Sequence, residues 1–187
     1  MDREILCRVL KNAMKAQTIL YIYNDTTSKD ERYGGFVQLV TKDYVVMRLV
    51  SLQARASGYL IARLDLIFRV DNGGQSASRA EQLYQLNQEQ HGDFAVSTFG
   101  NLLVNVLTLA MHQKLMISVY LDQDDERESL NGYVRHIANE HIVMDDLDDN
   151  AESYGEVHFE LSAVIDIKFD SRDLKNLALL YEQPKWG

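Results

Sequence analysis

The side chains best suited to chemistry in this chain are carboxylates, imidazoles and guanidinium groups, and they are unevenly placed. The densest acidic run is Asp145-Asp146-Leu147-Asp148-Asp149-Asn150-Ala151-Glu152. Its oxygens are hard donors of the kind that bind Ca²⁺ or Mg²⁺. No glycine falls at the sixth place, however, as an EF-hand loop requires. Asp122-Gln123-Asp124-Asp125-Glu126 is similar, but its counterpart in the first half, Asn24 to Glu31, is mixed in sign. Both acidic runs are therefore expected to be solvated or partner-facing loops. His136, His141 and His158, with Asp145 near in sequence, have the residue types of a zinc site. His136 and His141 are five apart, which on one continuous strand puts them on opposite faces. Histidines at or near the surface are the expected reading, with no metal site.

Nucleophilic catalysis needs a nucleophile, a base and an orienting group. Cys7, the single cysteine, sits beside Leu6 on an apolar-rich segment with no histidine or aspartate at hand. Gly34-Gly35 and Gly73-Gly74 are followed by no phosphate-loop or dinucleotide pattern. The expectation is a protein that is not an enzyme and carries no cofactor. One concentration of basic and aromatic residues remains: Arg48, Arg55, Arg63 and Arg69 with Lys42, Tyr44 and Tyr59. Stacking combined with phosphate contacts is how single strands are held. Lys42, Tyr44 and Arg63 are the candidate nucleic-acid contacts.

The elements that must position these residues occur twice. Val9, Leu10, Ala13 and Met14 match Val106, Leu107, Ala110 and Met111, all 97 residues later. Tyr23, Asp25, Gly35 and Val37 match Tyr120, Asp122, Gly132 and Val134 in the same register. So do Val46, Met47, Gly58, Leu64, Leu83 and Tyr84, with Val143, Met144, Gly155, Leu161, Leu180 and Tyr181. A fixed spacing through helix, glycine turn and strand predicts an internal duplication, with repeats at 1–88 and 95–187.

Each repeat opens with an amphipathic helix whose apolar stripe is Ile5, Leu6, Val9, Leu10, Ala13 and Met14 in the first copy. The second copy adds Val104 and Leu109 off that stripe, which predicts burial on two sides. Strand-forming segments follow at 18–23, 36–40, 44–50, 59–64 and 66–70. A second helix closes each copy, capped by Ser76 or Ser78 in one and by Ser171 in the other. Its buried face should be Ala80, Leu83 and Tyr84, or Leu174, Leu177, Ala178 and Tyr181. The predicted class is α+β, mostly β.

A leading helix before five short strands, with glycine opening the second, resembles the Sm-like (Lsm) family. Gly35-Phe36-Val37 through Asp43 to Met47 fill the places of the family's first signature, as do Gly132-Tyr133-Val134 through Glu140 to Met144. Gly58 to Val70 and Gly155 to Ile167 have the length of the second. The resemblance implies two tandem five-stranded antiparallel barrels, each flanked by helices, that associate through their edge strands. It also implies RNA binding, but the family's base-binding residues are replaced. The turn reads Asp43-Tyr44-Val45-Val46 or Glu140-His141-Ile142-Val143, without asparagine, and the second signature carries Ile61-Ala62-Arg63-Leu64-Asp65 or His158-Phe159-Glu160-Leu161-Ser162.

The net charge of −9 is lopsided. Residues 1–90 carry 12 Lys/Arg against 10 Asp/Glu, and residues 91–187 carry 7 against 18. An acidic half repels phosphate backbones and membrane surfaces. RNA, if bound, would therefore lie on the first repeat, and a protein partner would suit the acidic second. No apolar run reaches the roughly 20 residues of a membrane span, and nothing at Met1-Asp2-Arg3-Glu4 resembles a signal peptide. The expected setting is cytoplasmic. The expected role is a non-enzymatic binding or scaffolding homo-oligomer, with an RNA-binding regulator or a metal-dependent hydrolase as rivals.

Overall fold

A computed structural model of the protein describes residues 2–25, 32–123 and 126–183. It divides into two compact units, Met1–Gly92 and Asp93–Gly187. The central part of the acidic run 122–126 and most of the loop 24–31 lie outside the described residues.

Unit 1 opens with helix α1 (Arg3–Ala16), where the Asp2 carboxylate accepts from the Glu4 and Ile5 amides and caps the first turn. Strands β1 (Ile19–Tyr23), β2 (Tyr33–Val40), β3 (Tyr44–Val50) and β4 (Ala56–Arg63) follow. A single 3-10 turn, Leu64–Leu66, leads into β5 (Arg69–Asn72) and helix α2 (Gln75–Leu86). The strand order is β5-β1-β2-β3-β4, antiparallel throughout.

Alternation along the strands divides the apolar residues between two layers. Leu6, Leu10 and Ala13 of α1 pack with Leu20, Ile22, Val37, Val45, Met47, Leu49, Leu60 and Ala62. The other face carries Ile19, Phe36 and Val50 and meets Ala77, Ala80 and Tyr84 of α2. The α1 stripe is thus narrower than the sequence pattern implies, since Ile5 stays 47% exposed. Leu83 of α2 is also exposed. The α2 cap expected at Ser76 or Ser78 is absent, because the helix starts at Gln75, before both serines, with Gly74 at its N-cap and no side-chain cap bond.

Unit 2 repeats the order with α3 (Leu102–Gln113), β6 (Ile117–Gln123), β7 (Glu126–Ala138), β8 (His141–Leu147), β9 (Ser153–Glu160), β10 (Val164–Phe169) and α4 (Arg172–Glu182). Its ladders run β10-β6-β7-β8-β9. The strands flanking the acidic run 122–126 are longer than expected, with β6 and β7 paired out to Gln123 and Glu126. Ser171 caps α4 as the sequence predicts, its Oγ accepting from the Leu174 amide at 3.1 Å. Leu174 and Leu177 are buried with Met116 and Leu147, whereas Tyr181 is exposed. Val104 and Leu109 of α3 are half-buried.

Local irregularities recur 97 residues apart. Both second strands slip register, between Val37 and Leu39 and between Val134 and His136. The turns after β3 and β8 hold Ala54 and Ala151 in the left-handed region, closed by amide-to-carbonyl bonds from Ala54 to Ser51 and from Ala151 to Asp148.

The expected closed barrels are corrected to open sheets. Among the described residues no ladder joins β4 to β5 in unit 1, or β9 to β10 in unit 2. Two features account for the open form of unit 1. Strand β5 has only four residues, and the apolar hollow of the sheet is filled by the α1 stripe, so burial is achieved without closure.

Candidate functional site

Lys42, Tyr44 and Arg63 come together at one end of unit 1. Lys42 is exposed in the β2–β3 turn, and the Arg3 guanidinium donates to its carbonyl and to Asp43 Oδ1, the latter at 2.9 Å. Tyr44 stands directly opposite Arg63 across the β3–β4 ladder. Arg63 is already engaged, however, because Nε and Nη2 grip the Asp65 carboxylate at 3.1 and 2.7 Å. That hydrogen bond, aided by attraction, holds the Asp65 carboxyl below its ordinary range.

The remaining basic and aromatic residues disperse. Arg69 forks onto Asp71 at 2.8 Å and lies 4.5 Å from the Tyr23 ring centroid. Arg48 donates to Gln17 at 2.6 Å and lies over Phe36. Tyr59 is buried, its hydroxyl donating to the Gly92 carbonyl. A single basic rim, as the seven residues suggest in sequence, does not form.

In unit 2, His141 Nε2 stands 3.1 Å from His158 Nδ1, and His141 Nδ1 lies 3.5 Å from a Glu160 oxygen. His136 is exposed on β7, and Asp145 pairs with Arg135 instead. The acidic run does not converge either. Asp146 is buried and accepts from the Asn131 amide at 3.2 Å, while Asp148 accepts from the Asn150 and Glu152 amides at 2.9 and 2.7 Å. These bonds lower the Asp148 pKa, the Glu152 amide contributing most. Among the described residues no group of three His, Cys, Asp or Glu is placed to hold a metal ion. Cys7 is half-buried against the unit 1 core.

The concave sites lie elsewhere. Unit 1 has a cleft of about 380 Å³ between the β1–β2 face, the β3–β4 turn and α2, lined by Tyr21, Arg32, Ser51, Leu52, Ser76 and Arg79 among others. Gly34 shapes its floor, since a Cβ there would lie 2.5 Å from the Tyr21 ring. Tyr21 therefore lies across the glycine, with the Arg32 guanidinium 4.3 Å from its ring centroid. Arg32 Nη1 also reaches the Tyr23 hydroxyl at 3.5 Å. Unit 2 has a cleft of about 420 Å³ at the matching place, lined by Ser118, Ser129, Asn131, Asp149, Asp173 and Asn176 among others. Sequence reasoning passed over Arg32 and Arg79, one on the edge of a polar loop and one on a polar helix face. The signal available was that both arginines become neutral 97 residues later.

Comparison with protein-family models, curated proteins and solved structures finds no match to the chain. Among the described residues no helix is long and apolar enough to cross a membrane.

Proposed function

We propose that the chain is a non-enzymatic binding and scaffolding protein, built from two duplicated Sm-like units, that self-associates through its sheet edges. The observation that carries this reading is strand β9. Among the described residues it pairs with β8 alone within its unit, and it is exposed along most of its length. The Leu161 amide donates to the Glu140 carbonyl at 2.7 Å, which fixes the ladder's alternation. Glu156, His158 and Glu160 accordingly turn their backbone donors and acceptors away from β8. An unsatisfied edge of this kind is a template for a further strand.

The natural complement is β5 of another copy, which among the described residues pairs with β1 alone. The acidic second half and mildly basic first half favour this heterologous contact, which closes as a ring or continues as a filament. Sedimentation across a salt series tests it. The expected result is an oligomer that weakens as salt rises and becomes monomeric on Glu156→Pro, which removes an outward amide but spares the β8 ladder. A wild-type chain that is monomeric at every salt concentration would overturn the reading.

A further inference from the structure

The unit 1 cleft differs in chemistry from its counterpart in unit 2. Its charge is available to a ligand. Other arginines of the unit are spent on carboxylates: Arg3 on Asp43, Arg63 on Asp65 and Arg69 on Asp71. No carboxylate lines the cleft among the described residues. Arg32 engages the Tyr21 ring and the Tyr23 hydroxyl, with Asp71 acting only as a further attraction. Glu81, two residues beyond Arg79, turns instead to the Ile19 amide at 2.6 Å. Hydroxyls line the same cleft. Tyr21 Oη lies 3.5 Å from Ser76 Oγ, and Ser51 Oγ accepts from the Arg55 amide, leaving its proton to donate.

The rest of the wall is apolar. Ile19, Val50, Ala54 and Ala80 line it, and Leu52 and Leu83 stand exposed at the rim, Leu52 at 95%. Two guanidinium cations with neutral donors suit a phosphate monoester, because guanidinium forks match its oxygens. The apolar wall suits a hydrophobic body attached to that phosphate. A volume of about 380 Å³ falls at the small end of ligand clefts, about 300–1,000 Å³.

Unit 2 supplies the internal contrast. Position by position, Arg32 becomes Ser129, Arg79 becomes Asn176, Leu52 becomes Asp149 and Ser76 becomes Asp173. These four changes disfavour an anion, although Lys168, at the position of Asp71, brings one cation to the unit 2 wall. We propose that the unit 1 cleft, held between Arg32 and Arg79, binds a small phosphate monoester with an apolar or planar body, on the scale of a mononucleotide, and that the unit 2 cleft does not.

The test is calorimetric titration of the full chain with AMP, adenosine and inorganic phosphate. AMP is expected to bind at one site per chain. Phosphate should bind at least about tenfold more weakly and adenosine not measurably, with AMP affinity falling as salt rises. Arg79→Gln should weaken AMP at least about tenfold, by loss of one charge-assisted contact. Leu52→Asp, which places the unit 2 carboxylate at an exposed rim position where folding is not at stake, should do the same. Absence of saturable AMP binding, or AMP affinity unchanged in both variants, would overturn the proposal. Binding of a single-stranded oligonucleotide without binding of AMP would also overturn it, in favour of backbone recognition.

Discussion

The Tyr84 hydroxyl and His91 Nδ1 stand 2.8 Å apart, and His91 Nε2 lies 2.7 Å from the Leu49 carbonyl. A carbonyl only accepts, so Nε2 carries the proton. In the neutral ring Nδ1 then accepts from Tyr84. Tyr59 meets the imidazole edge-on at 5.6 Å, and Phe36 meets Tyr84 at 5.2 Å. His91 thus fastens the segment after α2 to the end of β3. Nearby, Glu89 accepts from the Ala56 amide at 3.0 Å. His91→Ala should cost about 1–3 kcal/mol of unit 1 stability, and Tyr84→Phe about 1 kcal/mol, by loss of one bond against two. Urea unfolding of both variants would show it, and equal stability of His91→Ala and wild type would refute the fastening role.

Gly35 and Gly132 are close-approach glycines. A Cβ on Gly35 would lie 2.9 Å from the Arg48 carbonyl carbon, with its oxygen nearer still, and one on Gly132 would meet the Asp145 carbonyl in the same way. The obstacle is backbone, which cannot swing aside. Gly35→Ala and Gly132→Ala should each destabilise their own unit by about 3 kcal/mol or more. Hydrogen exchange resolved by residue would locate the loss, and a substitution without effect on its ladder would exclude the clash.

The two closing helices differ at their first turns. Ser171→Ala should cost about 1 kcal/mol, because its Oγ satisfies the Leu174 amide. Ser78→Ala should be close to neutral, since Ser78 lies inside α2 and serves as no cap. Thermal unfolding of the pair distinguishes them, and equal losses would contradict the assigned helix start.

The pH dependence has a definite sign. Arg69 and the Tyr23 hydroxyl, the latter at 2.7 Å, hold the Asp71 carboxyl below its ordinary value of 3.8. A depressed folded-state pKa gives stability that is present above the unfolded value and is lost as pH falls through the folded one. Asp71→Asn should therefore be less stable than wild type near neutrality, with the difference shrinking below about pH 4. A difference that stays constant down to about pH 2 would show that the pair contributes nothing through its charge.

Divalent cations should leave the melting temperature unchanged. Asp148 is turned to the amides of its own loop and Asp145 to Arg135, so no carboxylate pair converges among the described residues that form this run. A concentration-dependent rise in melting temperature with Mg²⁺, Ca²⁺ or Zn²⁺ would restore the hydrolase reading.

The element order was legible in the sequence because hydrophobic period and glycine position act locally. Helix, five strands and helix appear in each unit where the 97-residue register places them. Ser171 was readable as a cap for the same reason. Caps are set by the side chain and the three residues after it.

Tertiary structure decided what local pattern cannot. Closure depends on whether distant edge strands meet, and the α1 core together with a four-residue β5 leaves the unit 1 sheet open. Pairing also decided which charges remain available. Arg63 holds the neighbouring Asp65 at 2.7 Å, whereas Arg79, unremarkable on a helix face, is brought by packing to line the cleft. The sequence determined the alternation that builds each sheet and the places of its turns, since those follow from neighbouring residues. The cleft and its two arginines come together only where β1, β2, the β3–β4 turn and α2 meet, and contacts between residues so far apart in the chain are set by packing.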